Sequence, residues 1–254
     1  MRIVVKVGTS TLAHAGGRLN IRRVELMCKV LSDIKNAGHQ VILVSSGAIG
    51  MGAGKLGLPG RPGDMPGKQA AAAVGQCELM YTYDKLFSEY NHTVAQLLIT
   101  GDDVKNHTRH ENFRNTLHRL LELEAIPILN ENDTVATDEI VIGDNDTLAA
   151  IVAESIDANL LVLLSDIDGL YTADPHKDPN AKLLSHVSQM TDEIRALGGG
   201  SAGSQGTGGM VTKLRAAEIC MNAGCDMVIT NGKRPDDLYA ILEGRSVGTT
   251  FSGR

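Results

Sequence analysis

Residues 160–164 read Leu-Leu-Val-Leu-Leu and residues 41–44 read Val-Ile-Leu-Val, with no polar side chain in either run. A strand built from such a run has two apolar faces, and both must be covered. Similar short β-branched runs occur at 3–7, 93–98, 126–129 and 227–229. Between them lie longer stretches of helical periodicity at 21–37, 68–90, 109–123, 146–155, 213–222 and 235–242. Strands that need cover on both sides, alternating with helices able to give it, predict an α/β chain. The expected architecture is a three-layer α/β/α sandwich around a mostly parallel sheet. Residues 133–143, DTVATDEIVIG, read as an inserted β-hairpin. With 254 residues, no internal repeat and no low-complexity linker, one domain over 1–254 is expected.

In an open parallel sheet, ligands bind beyond the carboxyl ends of the strands. The polar and glycine-rich segments follow that rule. The first strand runs into Gly8-Thr9-Ser10 and the second into Ser45-Ser46-Gly47-Ala48. The fourth delivers Asn130-Glu131-Asn132-Asp133, and the fifth Ser165-Asp166 with Asp168 just beyond. Lys6 lies inside or at the end of a strand that should be buried. A lysine there must snorkel to solvent, pair with a carboxylate or meet a bound anion.

Seven of the twelve residues from 198 to 209 are glycine, and Met210, Val211, Thr212 and Lys213 then open a helical pattern. Glycines let backbone N–H groups converge on one point, and a helix N-terminus adds a positive dipole end. With Lys213 in the first turn, this segment reads as a phosphate holder, and alone it could equally be a linker. Glu131, Asp133, Asp144 and Asp146 bracket the hairpin and would face Lys6 and Lys213 across a shared edge. An aspartate between the two lysines would fix both.

Other chemistries find little support. Gly52-Ala-Gly-Lys-Leu-Gly57 formally matches G-x-G-x-x-G but follows no strand directly, and Pro59 and Pro62 stand close behind. It reads as a mobile loop rather than a dinucleotide fingerprint. Gly67-Lys68 lacks the serine or threonine and the spaced glycine of a P-loop. His107 and His110 have no third ligand at metal spacing, so no protein metal site is expected. The four cysteines are scattered and read as buried small hydrophobes in a reduced, cytoplasmic setting. A net charge of −6 with dispersed cations, and 3% aromatics, argue against nucleic-acid binding. No run is long enough to span a membrane, and the N-terminal Arg2-Ile-Val-Val-Lys6 does not have the shape of a signal peptide.

VVKVGTS (4–10), VILVSSGAIGMG (41–52), KQAAAAVGQ (68–76), IPILNENDTV (126–135), IGDNDTLAA (142–150), LLSDIDGLYTADP (163–175) and GTGGMVTKLRAA (206–217) follow one another over nearly the whole chain. In that order they closely resemble the amino acid kinase superfamily, within it the branch that phosphorylates L-glutamate. The resemblance implies transfer of the ATP γ-phosphoryl group to the glutamate side-chain carboxylate, at the start of proline biosynthesis. Lys6 and Lys213 would then be catalytic, organised by Asp146. Ser46, Gly47, Asp133 and Asn145 would hold glutamate. Lys6, Gly8, Ser165, Asp166, Thr207, Gly208, Gly209, Met210, Val211, Thr212 and Lys213 would hold ATP, with Mg²⁺ bound mainly through its phosphates. Ser165 stands where threonine is common in the family, and the hydroxyl is kept. The resemblance further implies a homo-oligomer, proline as a feedback inhibitor and hand-off to glutamyl-phosphate reductase. The PUA domain that many family members carry after the kinase domain is not expected here. A superfamily member acting on acetylglutamate, aspartate, carbamate or UMP, and a non-catalytic sensor, are the alternatives.

Overall fold

The computed structural model describes residues 1–14, 17–135, 144–175, 177–200 and 209–253. In chain order its elements are β1 (Arg2–Val7), α1 (Thr9–Leu12), α2 (Ile21–Asn36), β2 (Gln40–Val44), α3 (Ala48–Lys55) and α4 (Met65–Ser88). Then come β3 (Val94–Ile99), α5 (Gly101–Lys105), α6 (His107–Glu122), β4 (Ile126–Glu131), α7 (Asn145–Ser155) and β5 (Leu160–Ser165). The last are β6 (His186–Val187), α8 (Asp192–Ala196), α9 (Met210–Asn222), β7 (Asp226–Asn231), α10 (Asp237–Leu242) and β8 (Thr249–Phe251). The expected hairpin at 133–143 falls largely outside the described residues.

The strands form one sheet in the order β3-β4-β2-β1-β5-β7-β8-β6. All pairings are parallel except β7 with β8, so the sheet is mostly parallel as the all-apolar runs require. β1 sits between β2 and β5, with Lys6 in register with Val44 on one side and Leu163 on the other. Alternation along β1 sends Ile3 and Val5 into one core with Met27 of α2, Tyr83 of α4 and Leu238 of α10. Val4 enters the opposite core with Leu117 of α6, Val152 of α7 and Ala216 of α9. These are the three layers. Lys6 shares the parity of Val4 and therefore leaves the sheet on the side covered by α7 and α9.

Helix starts follow local chemistry. Asp64 accepts from Gly67 N at 2.8 Å and Pro66 fits the first turn, so α4 starts at Met65, ahead of the expected residue 68. Asp144 caps α7, accepting from Thr147 N at 2.7 Å and from Thr147 Oγ1 at 2.9 Å.

The segment Gly52–Gly57 is not the loop its composition suggests, because Gly52 to Lys55 are the last turn of α3. Its glycine serves packing. A Cβ on Gly52 would lie 1.7 Å from the Ala71 carbonyl oxygen, and one on Gly75 would lie 1.8 Å from that of Ala48. The backbones of α3 and α4 therefore touch, and only glycine permits it. Cys77 is a second correction. Cys28, Cys220 and Cys225 are buried as expected, but Cys77 is exposed, one position past the buried face of α4 at Gln76. His110 Nε2 lies 2.8 Å from Ser155 Oγ, tying α6 to the end of α7.

Gly52→Ala is expected to lower Tm by about 4 °C or more, since overpacking a tight contact costs about 1–3 kcal/mol. At Gly60 an added Cβ would meet nothing within 4 Å, so Gly60→Ala should stay within about 2 °C of the parent in the same thermal unfolding experiment.

Candidate active site

The carboxyl ends of β1, β2, β4 and β5 open into one cavity of about 410 Å³. The starts of α1, α3 and α7 meet it, and α9 contributes Lys213 from its first turn. Gly47 makes the turn from β2 into α3 with φ +92°, a left-handed conformation that favours glycine. Backbone N–H groups and dipole ends thus point at the same space, an arrangement suited to anions.

Asp146 is the centre of the site. It is 1% exposed, and its Oδ1 pairs with Lys6 Nζ at 2.7 Å while its Oδ2 accepts from Lys213 Nζ at 2.9 Å. Thr212 Oγ1 lies 3.1 Å from the same Oδ2, pinning the first turn of α9. Burial alone would raise the Asp146 carboxyl, but the Lys6 and Lys213 ammonium groups outweigh it and hold it below the ordinary carboxylate range. Lys213 near a helix N-terminus opposes the dipole, and both lysines are buried. Asp146 offsets both costs.

A second network braces the β2 side. Asn145 Nδ2 lies 2.6 Å from Ser45 O, 3.0 Å from Ser46 Oγ and 2.9 Å from Asn130 Oδ1. Asp133 is partly buried in the wall, and burial raises its carboxyl against the opposing pull of Arg61. Burial also raises Asp144, although its hydrogen bonds from Thr147 oppose the shift. Ser165 Oγ donates to Asp166 Oδ1 at 3.1 Å beyond β5.

Lys6, Gly8, Ser46, Gly47, Asp133, Asn145, Asp146, Ser165, Asp166 and Lys213, all singled out from the sequence, line this cavity together. The remaining candidates stand elsewhere or outside the described residues. Gly209 caps α9, Met210 packs against the α6–α7–α9 core, Val211 is 58% exposed, and Thr212 reaches Asp146. Thr207 and Gly208 lie outside the described residues. Arg61 also lines the cavity. Sequence reasoning misses it because it sits in a Gly/Pro-rich stretch without periodicity. Gln76, buried behind the wall on Asn130, is missed because one glutamine in an alanine-rich helix carries no signal.

The wall carries five carboxylates and three cations, so an anionic ligand is drawn by local groups rather than by the overall field. Oxygen donors dominate it, as suits a hard cation that arrives with its own phosphate ligands. Among the described residues no group of three or more His, Cys, Asp or Glu side chains could hold a metal by itself.

Two buried lysines share one carboxylate, Lys6 from the end of a central strand and Lys213 from a helix start, beside helix N-termini above a parallel sheet. That arrangement points to a phosphoryl-transfer class of protein, and comparison with known sequences agrees. The amino acid kinase family model matches residues 1–231. "Glutamate 5-kinase" of Listeria innocua is 52% identical, covering 100% of this chain and 93% of that protein. The protein of that name from Clostridium perfringens is 50% identical, covering 98% and 94%. Among solved structures, carbamate kinase from Giardia lamblia bound to AMP-PNP superposes with TM-score 0.71 at 18% identity, over 99% of this chain and 98% of that one. UMP kinase from Ureaplasma parvum gives 0.65 at 18%, over 99% and 98%. These two show a shared fold. The chain belongs to the amino acid kinase family, in its glutamate 5-kinase branch.

The Asp146 carboxyl, held low in the folded state, contributes stability above the unfolded value near pH 4 and loses it as pH falls through the folded value. Asp146→Asn should therefore cost about 3–5 kcal/mol at neutral pH, because it strands two buried lysines. The difference from the parent should shrink below about pH 4 in denaturant unfolding measured across pH.

Proposed function

We propose that this chain transfers the γ-phosphoryl group of ATP to the side-chain carboxylate of L-glutamate. The product is L-glutamyl 5-phosphate, the first intermediate of proline biosynthesis. The observation that carries the reading is the Lys6–Asp146–Lys213 cluster on the cavity wall, in a chain about half identical to proteins named glutamate 5-kinase.

A carboxylate oxygen attacks the γ-phosphorus, and the bond from that phosphorus to the β,γ-bridging oxygen breaks, releasing ADP. The acceptor is already ionised at neutral pH, so no proton has to be removed. What the step needs is alignment of two anions and neutral surroundings for the moving charge. Lys6 and Lys213, spaced by the two oxygens of Asp146, supply the charge from fixed positions. Gly8 and the turn at Gly47 bring main-chain groups to the same space. Mg²⁺, bound mainly through the nucleotide phosphates, would add Lewis-acid neutralisation, and Asp166 is the carboxylate beside the expected nucleotide position.

Asp133 and Asn145 face the α-ammonium of glutamate in this reading, with Ser46, Gly47 and Arg61 at its α-carboxylate. Ser165, Asp166 and the start of α9, together with Thr207 and Gly208, hold the nucleotide. Proline as a competitor in the glutamate pocket, a homo-oligomer, a cytoplasmic location and hand-off to glutamyl-phosphate reductase belong to the same proposal, on the strength of the family. Among the described residues no helix is long and apolar enough to cross a membrane.

The test is ADP release with Mg-ATP across L-glutamate, L-aspartate, N-acetylglutamate, carbamate and UMP, with hydroxylamine present to trap acyl phosphate. Glutamate-dependent ADP with matching hydroxamate is expected, and turnover with another acceptor alone would refute the substrate assignment. Lys213→Ala should keep its circular dichroism spectrum and lose about 10²–10³ in kcat. Millimolar proline should raise the apparent KM for glutamate and leave kcat unchanged. Kinetics indifferent to proline would remove it from the proposal.

A further inference from the structure

Three side-chain amides form a line from α4 to the start of α7, with Gln76 behind the cavity wall and Asn130 and Asn145 in it. Gln76 Oε1 accepts from Asn130 Nδ2 at 2.9 Å. Asn130 Oδ1 accepts from the backbone N–H of Glu131 at 2.9 Å and from Asn145 Nδ2 at 2.9 Å. Gln76 and Asn130 are buried, at 8% and 2% exposure. The two ends of a primary amide match in shape and oppose each other in hydrogen bonding, so the polarity of such a line must be set by groups that cannot reverse.

Two main-chain groups set it here. The Glu131 N–H can only donate, which obliges Asn130 to present its oxygen there. The Ser45 carbonyl can only accept, which obliges Asn145 to present its NH₂. The amino end of Asn130 then needs an acceptor in a buried place, and Gln76 Oε1 is that acceptor. With the two Asn145 hydrogens shared among Ser45 O, Ser46 Oγ and Asn130 Oδ1, what Asn145 has left for the cavity is Oδ1, an acceptor. Ser46 Oγ already accepts from Asn145, so its own hydrogen is free to donate. An acceptor beside a donor is the complement of an ammonium beside a carboxylate. Seven residues along the same face of α4, Tyr83 Oη lies 2.8 Å from Ser45 Oγ, so α4 braces this wall at two levels.

We propose that Gln76 is a positioning residue for substrate selection. By giving the buried Asn130 amino group its acceptor, Gln76 secures the polarity that the Glu131 N–H and the Ser45 carbonyl set, in which Asn145 and Ser46 read an α-amino acid head group. It discriminates against a diacid of the same length that lacks the ammonium. This inference rests on the glutamate reading above and adds a residue that does not itself line the cavity among the described residues.

The experiment compares L-glutamate with glutarate in the parent, in Gln76→Met, which keeps length and loses the acceptor, and in Gln76→Glu, which keeps an acceptor. Gln76→Met should raise KM for L-glutamate about 10-fold or more and leave KM for ATP and kcat within about twofold. Its kcat/KM for glutarate should barely move, so the preference for glutamate falls about 10-fold or more. Gln76→Glu should recover most of that preference. Should Gln76→Met not fold, Gln76→Ala carries the same expectation. A parent-like preference in the acceptor-free variant overturns the inference, as does an equal loss on glutamate, glutarate and ATP, the pattern of a purely structural role. A parent protein inactive on glutamate removes the functional reading and this inference with it. An active parent with an indifferent Gln76→Met removes this inference alone.

Discussion

Two ammonium groups sharing one buried carboxylate organise this molecule. Lys6 comes from β1, Asp146 from the first turn of α7 and Lys213 from the first turn of α9, so the cluster joins segments about 140 and 67 residues apart. Taking three charges out of water is expensive, and apolar replacements of similar volume often do no worse for stability. The cost is understandable in terms of what the site does. In the proposed transfer, a dry and fixed arrangement would let the lysines act without reorganisation as charge moves, with Asp146 spacing them and aiming them at one place. The fold makes this possible because parity along β1 sends Lys6 to the same side of the sheet as α7 and α9.

The opposite wall is built by close packing. Gly52 and Gly75 let α3 lie against α4 backbone to backbone, which holds the turn at Gly47 and the start of α3 at the cavity. The same α4 then carries Gln76 to Asn130 and Tyr83 to Ser45. Fold and site are therefore not separable here. The helix that fills the core beneath the sheet also gives the cavity-lining Asn130 the acceptor that its amino group needs.

Much of the frame is legible in the sequence because its signals are local. Short, largely apolar runs mark β1, β2, β3, β4, β5 and β7 within a residue or two, and the polar segments after them mark the ligand edge. β8 and β6 are not legible. They have three and two residues, and their pairing depends on the edge that β7 offers rather than on any pattern of their own. The glycines at 52–57 mislead because a glycine needed for a turn and one needed for helix contact look alike in sequence. Cys77 misleads for a related reason, since an apolar helix does not say which single position faces water.

The order of residues alone settles the class of sheet and the strand ends that carry chemistry, and for Lys6 it leaves solvent, a carboxylate or a bound anion as the partner. Each follows from side-chain polarity and periodicity over a few residues. That Asp146, which the family resemblance implies, pairs with both lysines rather than Glu131, Asp133 or Asp144 is seen only in three dimensions, because no local pattern gives the distances between α7, α9 and β1. Folding likewise brings Arg61 to the cavity and places Gln76 behind Asn130. Those contacts join residues from different elements, and hydrogen-bonding direction in a buried amide line is fixed by main-chain groups that no local pattern reveals.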